Sequence, residues 1–253
     1  PAPQDLAAPG TAMDGGSVPL RVIVDRCRDR AVATAVQQVV QGCGMRSIDA
    51  GLAAVGSRLQ VATALARAGL PRPACLVAFS EASGVEAARR LGFPVTLLPV
   101  TPGSAATCLL DADTADAVIE HRVVLGDHAE AVVLLQAGAP KAGEVVRVHV
   151  VGERAVAVEG EAGAMEAIGL AEQTAAVLGA SLVAVDIARA DGRCVVWDVQ
   201  PVADFRQAAM LGTETVADAV AALAVRMARE GEQALALRPG WDTEAPHGIV
   251  LSA

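Results

Sequence analysis

The run SLVAVDIARADGRCVVWDVQP, residues 181–201, is two apolar, β-branched segments separated by Arg189-Ala190-Asp191-Gly192-Arg193. An Asp-Gly pair between two such segments is a strong signal for an antiparallel hairpin with a tight turn. Strand side chains repeat every second residue on one face, so Asp198 and Gln200 point the same way, and Asp186 sits across the turn on the partner strand. Two carboxylates and an amide oxygen on one face form a hard-oxygen set of the kind that holds Mg²⁺. The same pattern is also that of two solvated strand carboxylates with a polar neighbour.

Upstream, AMEAIGLAEQTAAVLG (164–179) reads as a helix and EVVRVHVVGERAVAVEG (144–160) as a second hairpin turning at Gly152. ACLVAF (74–79), SEASGVEAARRLG (80–92) and PVTLLPV (94–100) read as strand, helix and strand, the helix opened by Ser80. DADTADAVIEHRVV (111–124) is helical with Asp111 or Asp113 as N-cap, and AVVLLQ (131–136) is a strand. A helix from about Ser57 to Arg67 stops at Gly69 with Pro71 beyond it. PLRVIVD (19–25) and AVATAVQQVVQGCG (31–44) form a small strand–helix unit, and a last helix begins at Thr215. Residues 1–18 and the Pro/Gly-rich C-terminal stretch read as tails.

Composition narrows the possible functions. Apolar residues are 53% of the 253, enough for a folded core, but aromatics are only 2%, so a site that stacks bases on several rings is disfavoured. The net charge of −9, with no basic stripe, argues against a nucleic-acid partner. Lys141 is the sole lysine, so chemistry needing an ammonium has one candidate. Cys27, Cys43, Cys75, Cys108 and Cys194 lack CxxC spacing, and His121, His128, His149 and His247 lack metal-ligand spacing. No signal-peptide pattern or bilayer-length apolar run occurs, so the sequence reads as a cytoplasmic protein with no membrane partner.

Several segments taken in order resemble the ATP-grasp superfamily, most closely its RimK-type carboxylate–amine ligases that join an amino acid to a carrier protein in lysine biosynthesis. RLQVATALARAGLPRPACLVA (58–78) is similar to the segment that opens the ATP-grasp module, and LGFPVTLLPVTPGS (91–104) to the strand and loop after it. EHRVVLG (120–126), VRVHVVGERAVA (146–157), LGASLVAVDI (178–187) and VVWDVQP (195–201) follow in the family's order, so the likeness spans about residues 20 to 228. It implies an α/β chain of α+β lobes, an ATP-grasp fold with a shortened N-terminal domain. The organisation implied is a tail over 1–18, a domain remnant over 19–55, a small lobe over 56–135, a large lobe over 136–235 and a tail over 236–253.

The resemblance also implies residue roles. The family's metal ligands, an Asp and then Glu-x-Asn, fall on Asp186, Asp198 and Gln200. Its two ATP-contacting lysines fall on Arg58 and Leu98, and its glycine-rich phosphate loop on Gly103-Ser104-Ala105-Ala106 after Pro102. The adenine-contacting Gln-Glu-aromatic reads Gln136-Ala137-Gly138, and the long segment after the Gly152 turn is reduced to a short connection. Arg147 and Arg206 keep positive charge at family basic positions and are the ligand-binding candidates. Loss of both lysines and of the loop leads to the expectation of a degenerate member that binds a metabolite or partner enzyme, with weak or no ATP-dependent ligase activity. Two alternatives stand beside it: a working ligase using ATP and Mg²⁺, adding an amino acid to a carrier protein or to a tetrahydromethanopterin-type cofactor, and a structural subunit of a biosynthetic complex. The apolar strand–helix unit at 19–45, short of cover upstream, leads to the further expectation of a homodimer.

Overall fold

The computed structural model describes residues 21–125, 132–141, 143–160, 164–190 and 192–236. Both expected tails, His128, His247 and Asp191 of the hairpin turn lie outside them, except that Ala236 ends the last helix. In chain order the elements are β1 (Val22–Val24), α1 (Arg30–Gly42), β2 (Arg46–Ile48), α2 (Leu52–Gly56), α3 (Arg58–Arg67), β3 (Cys75–Ala78), α4 (Glu81–Leu91), β4 (Val95–Leu98), β5 (Thr107–Leu109), α5 (Ala112–Leu125), β6 (Val133–Ala137), β7 (Val145–Val151), β8 (Arg154–Glu159), α6 (Ala164–Leu178), β9 (Leu182–Ala190), β10 (Arg193–Gln200), β11 (Ala209–Met210) and α7 (Val216–Ala236).

Two antiparallel sheets organise these elements. The smaller runs β3-β6-β4-β5, and α4 and α5 cover one face through Val85, Ala88, Ala115 and Ile119. The larger runs β10-β9-β7-β8-β11. One of its faces is buried by α2, α3 and α6, whose Ala54, Leu65, Ala171 and Ala175 meet Val148, Val150, Val183 and Val185. Beyond the other face α7 packs Val216, Ala219 and Leu223 against Val151, Val156 and Leu182. Alanine and valine build these interfaces, as the near-absence of aromatic residues requires.

Local chemistry sets the punctuation. Asp29 caps α1 by accepting from the N–H groups of Ala31 and Val32, Ser80 caps α4 through the Ser83 N–H, and Asp111 accepts from Thr114 at the start of α5. Gly152, at φ +64°, turns the β7–β8 hairpin in a conformation that disfavours other residues.

The N-terminal unit pairs with itself and with α7. β1 and β2 form a parallel pair, Ile48 is fully buried in the α7 cluster, and Ala33 of α1 reaches the α6 core. Val24 and Val32 are its exposed large apolar side chains. The lobe boundary expected at 135/136 falls inside β6, which pairs with β4 as far as Ala137. Among the described residues, no helix is long and apolar enough to cross a membrane.

Candidate functional site

The β9–β10 hairpin lies at the edge of the larger sheet, and its polar residues form one end of a row. β9 sends Val183, Val185 and Ile187 to the α6 core, so Asp186 emerges on the opposite face. β10 would place Val196 and Asp198 on one face if it were regular. A register shift between Val196 and Asp198 frees Trp197 from the ladder and turns Asp198 away from Val196, toward Asp186. The sheet register then lines up Glu159 opposite Arg147, Arg147 opposite Asp186, and Asp186 opposite Asp198. Cross-strand opposite charges attract and directly opposed carboxylates repel. The Asp186–Asp198 pair therefore needs compensation.

Compensation comes from three donors. Arg147 binds Asp186 through both carboxylate oxygens, at 2.7 Å from Nε and 3.0 Å from Nη2. Arg58, from the first turn of α3, binds Asp198 in the same fork, at 2.9 Å from Nε and 2.8 Å from Nη2. Gln200 lies between them and donates Nε2 to Asp186 at 3.2 Å and to Asp198 at 3.0 Å. That orientation is required, since an amide oxygen facing two acceptor-only carboxylates would bond neither. Asp198 also accepts from the Val199 N–H, so four donors meet its roughly four lone-pair positions. Arg58 donates its remaining Nη1 hydrogens to the carbonyls of Pro99 and Thr101, so four of its five N–H groups are bonded inside the protein.

At the far end of the row, Glu159 holds buried His149 at 2.7 Å, and the imidazole meets the edge of Phe205. Burial lowers the His149 pKa from its ordinary value, and Glu159 opposes that shift.

Of the residues expected at a nucleotide site, Arg58, Leu98 and Gln136 face a cleft between the two sheets that is already closed. Leu98 is 4% exposed on β4. Gln136 donates to the Trp197 carbonyl at 3.1 Å and accepts a weak bond from the Cys75 thiol, and the Val196 N–H reaches the Pro71 carbonyl at 2.8 Å. What remains between Arg58, Leu98, Gln136 and Trp197 is a cavity of about 30 Å³. Small-molecule sites occupy roughly 300–1,000 Å³.

ATP and Mg²⁺ are the groups that this fold implies, and the side chains present do not fit them in this arrangement. Mg²⁺ needs free oxygens in near-octahedral array, whereas Asp186 and Asp198 are spent on guanidinium groups and Gln200 presents nitrogen to both. Among the described residues, no group of three or more His, Cys, Asp or Glu side chains is placed to hold a metal.

The other candidates lie elsewhere. Gly103, at φ +89°, and Ser104 are exposed on the loop between β4 and β5. Arg206 is on the surface, in a two-pronged pair with Asp204 that holds the Asp204 carboxyl at about 2. Lys141 is exposed in a turn, where its backbone N–H donates to Glu144. Gly103, Gln200 and Arg206 border a second, larger cavity of about 600 Å³, to which Arg26, Arg28 and Arg30 also contribute. Those three arginines were absent from the sequence-derived candidates, although their alternate spacing before a helix was a visible signal.

No protein-family model matches the chain. Solved structures do. A RimK domain ATP-grasp protein from Sphaerobacter thermophilus aligns with 27% identity and a TM-score of 0.65, over 81% of this chain and 80% of its own. The D-alanine–D-alanine ligase of Coxiella burnetii aligns at 12% identity and TM-score 0.67, over 88% of this chain and 74% of its own. An ATP-grasp ligase, PsnB, in complex with a precursor peptide and AMPPNP aligns at 19% and 0.56, over 79% and 68%. The last two carry the likeness in fold alone, and the first adds likeness in sequence across four-fifths of both chains. With a RimK domain ATP-grasp protein similar over four-fifths of both chains, this chain has the ATP-grasp fold and is a relative of the ATP-grasp superfamily.

Proposed function

We propose that this chain uses an ATP-grasp scaffold to bind a ligand, a metabolite or a partner enzyme, rather than to form an amide bond at the expense of ATP. The observation that carries the reading is the double guanidinium clamp: Arg58 on Asp198 and Arg147 on Asp186. Each carboxylate at a metal position has its charge matched by an arginine, so a cation entering there would have to displace a bidentate ion pair. Arg58, at the position of an ATP-contacting lysine, directs its donors inward to Asp198 and to the carbonyls of Pro99 and Thr101. Gln136, at an adenine-contacting position, likewise spends its amide on the Trp197 carbonyl. The homodimer expected through residues 19–45 stays a separate expectation: Val22, Ala33 and Ile48 pack against the chain's own core, and Val24 and Val32 are exposed.

The competing reading is a carboxylate–amine ligase with ATP and Mg²⁺, and the kinship with ATP-grasp ligases favours it. It requires that the clamp open, with Arg58 and Arg147 turning from the aspartates to phosphate. Titration calorimetry with Mg²⁺–ATP, alongside an assay for ADP release, decides between them. The binding reading expects no saturable heat and no ADP above background. Micromolar binding with Mg²⁺-dependent turnover would overturn it.

A further inference from the structure

Among the described residues, β1 has no strand on its outer side. It pairs with β2 alone, in a parallel two-stranded sheet that sets Val22 opposite Arg46, Ile23 opposite Ser47 and Val24 opposite Ile48. An isolated pair of strands is marginal by itself, and an open strand edge is a template for another chain. One hydrogen bond fixes which residues face outward. Asp25 donates its N–H to the Ile48 carbonyl at 2.9 Å. In a parallel ladder alternate residues bond the neighbouring strand, so Ile23 and Asp25 face β2, whereas Val22 and Val24 turn their N–H and C=O groups outward. No backbone hydrogen bond from a turn, loop or cap of the described residues reaches either valine.

The side chains agree with this edge being open. Val22 packs into the cluster built by α7, yet Val24, two residues on and so on the same face, is 37% exposed. Val32 of α1, in the same strand–helix unit, is exposed as well.

An edge with this parity is complementary to itself. A second copy laid antiparallel about a two-fold axis through Ile23 sets Val22 of each copy opposite Val24 of the other. Both residues of each pair point their polar groups at one another, which is the antiparallel pairing that exchanges two N–H···O bonds. The two Ile23 side chains then meet in the closer, non-bonded position, and Val24 is covered by Val22 of the other copy. The same register places Arg21 of one copy opposite Asp25 of the other at both ends, so opposite charges and not like ones face each other. A slip of one residue would set outward groups against inward ones and lose every one of these bonds. A two-fold contact of this kind closes on itself and stops at two copies.

We propose that β1 is a dimerisation edge, at which two copies of this chain pair antiparallel about Ile23 and join their two-stranded sheets into one continuous sheet ordered β2-β1-β1-β2. This goes beyond the binding reading and stands apart from whatever the cleft between the larger sheets holds.

The test is sedimentation equilibrium of the full chain across the micromolar range, with amide hydrogen exchange followed at Val22 and Val24. Wild type is expected at twice the chain mass, with both amides protected. Val24→Pro removes an outward N–H while the donors that face β2 stay in place, so it should weaken dimerisation at least about tenfold. Val24→Lys puts a charge on the edge and should weaken it likewise, with faster exchange at Val22. Met165→Lys, at an exposed apolar residue in the first turn of α6, should leave the dimer intact. A monomeric wild type across that range would overturn the proposal, and its mass is read whether or not a variant folds. So would a dimer equally tight in wild type and both Val24 variants. A monomer whose Val22 and Val24 amides are nonetheless protected would assign the cover to another segment of the same chain.

Discussion

Two arginine-lined regions lie on either side of Gln200, and they differ in what the guanidinium groups face. On the larger sheet, Arg58 and Arg147 each grip an aspartate with two hydrogen bonds, and the cavity beside Arg58 and Asp198 is only about 30 Å³. In the neighbouring cavity of about 600 Å³, Arg28 has no acid partner among the described residues, while buried Arg30 pairs with Asp25. Arginine content by itself therefore says little about binding. A guanidinium matched by a carboxylate locks two elements together, whereas one left unmatched at a roomy wall is available to an incoming anion.

The largest effect that can break this contrast is on the clamp. Removing one partner of a buried ion pair leaves the other charged and undersolvated, at about 3–5 kcal/mol. The Arg58 and Asp198 side chains are 6% and 12% exposed, so Arg58→Met should lower the unfolding free energy by about that amount in urea titrations. The double variant Arg58→Met with Asp198→Leu should recover much of it, since replacing both partners by apolar side chains is often neutral. A loss below about 1 kcal/mol in the single variant would mean that the ion pair is loose and the arginine free for a ligand.

A smaller effect concerns the far end of the polar row. The folded-state pKa of His149 lies below its unfolded value, so the unfolded chain takes up a proton first as pH falls. The stability contributed by the neutral imidazole is complete above about pH 6.5 and is lost as pH drops from there through the lowered folded value, with a slope of at most about 1.4 kcal/mol per pH unit. Unfolding curves between pH 7.5 and pH 5, roughly spanning that window, should show this decline, and His149→Gln should flatten it. An unchanged profile in the variant would assign the decline to other groups.

The smallest effect sharpens the other side of the contrast. Arg28 is exposed and has no ion-pair partner among the described residues, so Arg28→Gln should alter stability by less than about 0.5 kcal/mol. A measured loss well above that would make Arg28 part of the fold's framework.

The parts of the fold legible from residues were those whose signal is local. β9 and β10 were readable from β-branched runs around Asp191-Gly192, and β7 and β8 from alternation around Gly152. β2, β5 and β11, at two or three residues each, are too short to carry a period and exist because a neighbouring strand pairs with them. The site was legible in part for the same reason. Alternation put Asp198 and Gln200 on one face, but the bulge at Trp197 that turns Asp198 toward Asp186 left no periodic trace.

The sequence by itself determined the elements, the hairpin that brings Asp186 near Asp198, and the order of motifs that marks an ATP-grasp relative, because turn chemistry and side-chain period act over a few residues. Tertiary structure alone decided what those carboxylates meet. Arg58 lies 140 positions from Asp198, and Arg147 faces Asp186 only because β7 is inserted between β8 and β9. It likewise gathered Arg26, Arg28 and Arg30 with Gly103 and Arg206 around one cavity. Such meetings depend on strand order and helix packing, through which the burial of apolar faces brings distant polar groups together.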